Sequence, residues 1–181
     1  IAVLILTTAI YAPSLSNEFV NWDDGTLIRD NVVIREITPS SIKEIFTSYD
    51  PELYVPLTMF TFQLNHFIGG TEPFVYHVTN LILHLANVIL VFLLILLLTN
   101  NRWVGLTAAS LFALHPLNTE IVVWASARKD VLSILFYLLT LILYIKYKTS
   151  GNKKLYFGSL GSALLGFLSK VSLMTVPFVL L

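Results

Sequence analysis

The 181-residue chain is 56% hydrophobic and 12% charged, with eleven Lys and Arg against eleven Asp and Glu and a net charge of +0. Soluble domains carry about 25% charged residues, so this composition, with a mean hydropathy of +0.78, excludes an ordinary soluble domain and a disordered segment, and the lack of a basic excess excludes nucleic acid as a partner. Zero cysteines remove disulfide scaffolds, thiolate zinc sites and cysteine nucleophiles, and an integral membrane protein remains.

The opening IAVLILTTAIYAP reads as a first membrane helix over residues 1–14. It is preferred to a signal-peptide core, because no basic residue precedes it and cleavage after Ala12 would put bulky Ile10 at the minus-three position. With apolar runs at both ends, the sequence reads as a fragment. Residues 15–76 are polar enough to lie outside the bilayer as a long outer loop, yet they contain periodic apolar pieces. Ile42 to Phe46, with Ser40 or Ser41 as cap and Glu44 in the first turn, predicts a short amphipathic helix on the membrane surface, and Leu57 to Phe62 is a second such piece.

A bilayer helix takes about 20 mostly apolar residues, and residues 77–99 supply it, with His84 and Asn87 as the main interruptions. Further helices are predicted over 103–122, 131–147 and 155–169. The last holds Gly158, Ser162 and Gly166 at four-residue spacing, which suits close packing on a neighbour. A sixth would start within 171–181. The fold class is all-α: one polytopic transmembrane bundle of about six helices, whose outer loop carries short amphipathic helices.

Charge placement orients the bundle. The connections at 100–102 and 146–154 hold Arg102, Lys146, Lys148, Lys153 and Lys154 and no acid, while all eleven acids fall in the other connections. The positive-inside rule assigns the basic end to the cytoplasm, so the acids face outward.

Three constellations on that outer side carry chemistry. Asn21-Trp22-Asp23-Asp24 joins two acids whose side chains diverge by about 100° on a helix or alternate on a strand. One carboxylate is then suited to accept a proton, and the other to a metal, Arg29 or a structural hydrogen bond; a plain solvated turn at Asp24-Gly25 is the alternative. His77, Asn80, His84 and Asn87 recur at i, i+3, i+7 and i+10, one polar stripe on an apolar helix. At membrane depth such groups face protein or a wet cavity, either as helix-to-helix hydrogen bonds or as substrate contacts at His77 and Asn80. His115-Pro116-Leu-Asn118-Thr119-Glu120, followed by Arg128, Lys129 and Asp130, joins two predicted helices. Pro116 disfavours helical geometry at His115. Arg128, Lys129 and Lys170 suit a phosphate, or, for Arg128, a salt bridge to Glu120 or Asp130.

Together these residues resemble the N-terminal membrane region of the TMTC-type (transmembrane and tetratricopeptide-repeat) GT-C glycosyltransferases, as a bacterial relative. The resemblance runs through FVNWDD (Phe19 to Asp24), Pro56-Leu57, TFQLN (Thr61 to Asn65), PFVYHVTNLILH (Pro73 to His84), FALHPLNTEIVVWASARKDVLS (Phe112 to Ser133) and SKVSLMTVPFVLL (Ser169 to Leu181). It implies a GT-C-like fold, and an enzyme that moves a sugar, mannose in characterised members, from a polyprenyl-phosphate carrier to a protein or glycan hydroxyl outside the cytoplasm. It implies Asp23 or Asp24 as base or metal contact, with a divalent metal as a candidate cofactor. It also implies Glu120 with His115 as further catalytic groups and Arg128 and Lys170 as donor-phosphate contacts, while His77 and Asn80 stay candidate substrate contacts from their place on the stripe. Membrane lipid is a partner, and the bacterial cytoplasmic membrane is preferred to the endoplasmic reticulum; tetratricopeptide repeats beyond Leu181 would point to a protein acceptor. Val55, where relatives often have Arg, and Asn118, where they often have a second His, depart from the pattern. A transporter or flippase, or a non-catalytic membrane scaffold, is the rival reading. Transporters, however, place polar groups near the midplane, where 103–122 and 131–147 are almost bare.

Overall fold

A computed structural model describes residues 1–48 and 54–175. Among them are eight α-helices and no strand: α1 (Ala2–Tyr11), α2 (Pro39–Thr47), α3 (Pro56–Gly69), α4 (Pro73–Thr99), α5 (Arg102–Leu114), α6 (Leu117–Val123), α7 (Arg128–Ser150) and α8 (Lys153–Ser169). Short 3₁₀ turns follow α1 and precede α7, and a π turn spans Gly25–Arg29. Asp50 and Glu52 lie outside the described residues.

Two stretches, Pro73–Thr99 and Ala125–Ser150, are long and apolar enough to cross a membrane. At 1.5 Å per residue the 27 residues of α4 reach about 40 Å, more than a bilayer core. The expected helix over 103–122 is instead broken: α5 stops at Leu114, His115 is extended at φ −66° and ψ 130°, and α6 leaves at 63° to α5. The cause is Pro116, whose ring forces the preceding residue out of the helical region. Counted as one span, the bent pair makes a third. The segment expected to begin a sixth helix is a 3₁₀ turn at Val171–Thr175, and 176–181 lie outside the described residues.

Both helix hairpins turn by the same device. Asn100 (φ 50°) and Gly151 (φ 69°) end α4 and α7 in the left-handed conformation, the usual helix stop. Asn101 and Asn152 then cap the next helix, accepting from Trp103 N and Val104 N, and from Lys154 N. The two turns gather Arg102 and Lys146, Lys148, Lys153 and Lys154 at one end of the bundle. α4 and α7 run parallel, shown by contacts from Asn80 to Ala125, Asn87 to Val131 and Leu94 to Leu138, so their N-termini share the opposite end, which carries the acids. α8 returns along α7 on its small-residue face: Ser162 Oγ donates to Phe136 O at 3.0 Å.

The long segment between α1 and α4 folds over that acid-rich end. Thr38 caps α2, not Ser40 or Ser41; its side chain accepts from Ser41 N while Ser41 Oγ accepts from Thr38 N, and Pro39 takes the first helical position, where its missing N–H is no loss. α3 lies across the ends of α4, α7 and α8. Leu27, Ile28, Ile34, Ile45, Met59 and Phe62 bury a small core against Tyr76 and Ala125. Each such side chain contributes about 1.5–3 kcal/mol when fully buried, and together they fix the segment carrying Asp23 and Asp24 on the connection between α6 and α7.

Candidate functional site

The two adjacent carboxylates have opposite surroundings. Asp24 is fully buried; its Oδ2 accepts from Val20 N and its Oδ1 from Ser126 N, each at 2.9 Å. Asp23 keeps a third of its side chain exposed and lies 3.6 Å from Lys129 Nζ. Lys170 ion-pairs with Asp130, and Arg29 pairs with Asp30 at 3.5 Å and reaches Asn21 Oδ1 at 3.3 Å. Asp23, Lys129, Asp130 and Lys170 therefore share the end of the bundle where α7 starts and α8 ends.

Arg128 has turned inward. It is fully buried, its Nε donates to Asn80 Oδ1, Nη1 to Asn65 Oδ1 at 2.6 Å and to Thr61 Oγ1 at 3.4 Å, and Nη2 to Tyr76 O at 2.8 Å. The guanidinium also stands over the Phe62 ring, 5.0 Å from its centroid. Every one of these partners is neutral. Neither Glu120 nor Asp130, the acids expected as its partners, touches it, and Asp130 is taken by Lys170. A cation buried among amide oxygens, a carbonyl and a π face ties α3 and α4 to α7 and presents nothing to the surface.

The polar stripe of α4 is buried along its length, with His77, Asn80, His84 and Asn87 all at most 2% exposed. Asn80 donates to Trp124 O at 2.9 Å and to Ala125 O at 3.3 Å while accepting from Arg128, so both ends of its amide are engaged. His84 Nε2 meets Ala113 O at 3.2 Å, with its ring between Tyr11 and Phe112. Asn87 donates to Val131 O at 2.9 Å. His77 differs: neither ring nitrogen makes a hydrogen bond of good geometry among the described residues, although the backbone of Asn17 and Val123 lies close to the ring, and Ser126 Oγ and Trp124 Nε1 in the neighbouring connection make none either.

His115 and Glu120 lie at the surface. His115 Nδ1 accepts from Leu117 N at 3.2 Å, and Asn118 donates to Phe112 O at 2.6 Å, which together hold the bend. Among the described residues no three His, Asp or Glu side chains converge on a common point, and Asp24 already accepts a backbone N–H at each oxygen. Ser126 as the anchor of Asp24, and Asn65 and Thr61 as ligands of Arg128, were not legible in the sequence; the hint was their place inside the runs TFQLN and WASARKD.

No family model and no solved structure matches the chain. It is similar to human Protein O-mannosyl-transferase TMTC1, 34% identical over 94% of this chain and 19% of the relative. It is also similar to human TMTC2, 35% identical over 78% and 18%, and to mouse TMTC3, 32% identical over 83% and 17%. The chain thus spans less than a quarter of the length of the curated relatives it matches.

Proposed function

The chain belongs to the family of the TMTC protein O-mannosyl-transferases, and from that premise we propose that it is the membrane part of a glycosyltransferase that moves mannose from a polyprenyl-phosphate donor to a protein hydroxyl on the non-cytoplasmic side. As a bacterial relative it would sit in the cytoplasmic membrane. The observation that carries the reading is the partly exposed carboxylate of Asp23 standing 3.6 Å from Lys129 at the mouth of a membrane-spanning helix. A lipid-linked donor keeps its prenyl chain in the bilayer and brings its phosphate to that level.

The chemistry asks for a base and a fixed cation around one anomeric carbon. The acceptor oxygen attacks that carbon, the carbon–oxygen bond to the phosphate breaks with its electron pair going to the leaving polyprenyl phosphate, and the acceptor proton passes to Asp23. Asp24 holds the loop that presents Asp23. Arg128 acts by fixing α3, α4 and α7, and Lys170 stands on the phosphate side of the site. His77, buried near Asp24, supports the Asp23 loop from behind, and Glu120 with His115 flank the acceptor from the bent connection. Asn80 supports Arg128.

The test uses purified full-length protein with polyprenyl-phosphate mannose and a Ser/Thr-containing peptide. Transfer by the wild-type protein, with a loss of about 10²–10⁴-fold in Asp23→Asn, is the expected result. Full activity in Asp23→Asn, or transport of the lipid without sugar transfer, overturns the reading.

A further inference from the structure

We infer that Lys129 is the residue that takes the phosphate of the lipid donor, and that its ion pair with Asp23 keeps the base and the phosphate contact mutually engaged until the donor arrives. The inference rests on the proposed function and adds to it the residue that receives the headgroup and the order of events.

Cations near the start of α7 compete for the role, and their surroundings separate them. Arg128 has no exposed surface, and each of its three nitrogens donates to a protein acceptor. Lys170 is held in close contact by Asp130. Lys129 instead meets Asp23 at 3.6 Å, just beyond hydrogen-bond length, with 19% and 33% of the two side chains exposed. Such half-wet pairs are weak. A phosphate offers several anionic oxygens and forms shorter, charge-assisted hydrogen bonds to an ammonium, and the four-carbon lysine stem lets the ammonium move to meet it.

Position supports the same assignment. Lys129 is the second residue of α7, a helix of 23 residues, so the partial positive charge of the helix start favours an anion there. It also lies within the stretch Ala125–Ser150 that is apolar enough to cross a membrane, close to its beginning, at the depth of a lipid headgroup. Arg128 and Lys129 point in different directions because adjacent helix residues diverge by about 100°; with Arg128 fixed inward, Lys129 turns toward the part-exposed Asp23. When phosphate draws Lys129 away, the Asp23 carboxylate is freed to accept the acceptor proton, so donor binding precedes activation of the base.

The experiment measures equilibrium binding of a short-chain polyprenyl phosphate to the full-length protein in nanodiscs, with inorganic phosphate as a second probe. Lys129→Ala is expected to weaken lipid binding by about 10–100-fold, as for a lost hydrogen bond to a charged group, and Lys129→Arg to restore most of it. Asp23→Asn, which releases Lys129 without touching the lipid, is expected to bind as tightly as wild type or tighter, and the double variant to resemble Lys129→Ala. Inorganic phosphate alone should not displace the lipid; displacement would assign the site to a free anion and overturn the lipid assignment. Wild-type binding by Lys129→Ala, or an equal loss in Asp23→Asn with an unchanged melting temperature, overturns the inference while leaving the proposed function standing. No lipid binding by the wild type overturns both.

Discussion

The backbone N–H of Ser126 donates to the buried Oδ1 of Asp24 at 2.9 Å across 102 residues of sequence. With Val20 N on the other oxygen, the carboxylate closes the loop from Val20 to Asp24 and fastens it to the start of α7 at the same time. Its neighbour Asp23 is thereby directed away, toward Lys129 and the surface. Two acids that are equivalent in the sequence become a buried anchor and a half-exposed ion-pair partner through one long-range hydrogen bond.

Asp24→Asn should therefore act on folding first. The new amide group can accept one backbone N–H but turns a donor toward the other, leaving a buried donor unsatisfied at a cost of about 1–3 kcal/mol. Thermal unfolding of the detergent-solubilised protein should show a clear drop, while Asp23→Asn should unfold within about 0.5 kcal/mol of wild type. Equal melting temperatures for all three proteins would remove the anchor role from Asp24.

Arg128 yields a second contrast. Replacing it by Ala strands Asn65 Oδ1 and Asn80 Oδ1, each buried and now without its donor, at about 1–3 kcal/mol apiece before relaxation, while Tyr76 O keeps its helical bond within α4. Arg128→Lys keeps the charge, but one ammonium cannot reach acceptors on both α3 and α4 in place of a planar fork, so it should destabilise nearly as much. A direct phosphate contact would give the opposite pattern, with normal unfolding of Arg128→Lys and weakened donor binding only. Parallel melting and lipid-binding curves distinguish the two.

Periodicity and local chemistry were readable in the sequence; rotation and long-range partners were not. The stripe His77, Asn80, His84 and Asn87 follows from spacing alone, and the bend at His115 follows from Pro116. Which of Arg128 and Lys129 faces inward depends on Thr61, Phe62 and Asn65, more than 60 residues earlier, and no local pattern encodes that. The same holds for Asp130, which lies beside Arg128 in sequence yet pairs with Lys170, 40 residues on. The cap of α2 is a nearer miss: Thr38-Pro39-Ser40-Ser41 offers three hydroxyls, and the preference of Pro for the first helical position selects the residue before it.

Gly105 brings α5 close against Phe92 of α4. A Cβ there would meet the Phe92 ring at 3.1 and 3.2 Å and the Phe92 carbonyl oxygen at 3.3 Å. The ring can turn but the carbonyl is part of α4, so Gly105→Ala should separate the helices slightly and cost about 1–3 kcal/mol. Adding Phe92→Leu removes the ring conflict and should recover part of that loss, a coupling of about 0.5 kcal/mol or more in a double-mutant cycle of melting curves. Strict additivity would show that the two residues do not limit the approach.

Glu120 and His115 are exposed, so their substitution separates chemistry from folding more cleanly than any change at Asp24 or Arg128. α6 carries Glu120 on the same short connection whose Ser126 N–H holds Asp24, and the bend that begins this connection is braced by Asn118 on Phe112 O. Glu120 therefore keeps a fixed relation to the Asp23 loop. Glu120→Gln should leave unfolding within about 0.5 kcal/mol of wild type and, if its charge assists the transfer at Asp23, lower the turnover by about 10²-fold, the smaller end of the range for a positioned proton-transfer group. His115→Ala also loses the acceptor of Leu117 N, so its effect on turnover should come with a small drop in melting temperature. Unchanged turnover in Glu120→Gln would remove Glu120 from the proposed chemistry and leave α6 as the strut that carries the connection to Ser126.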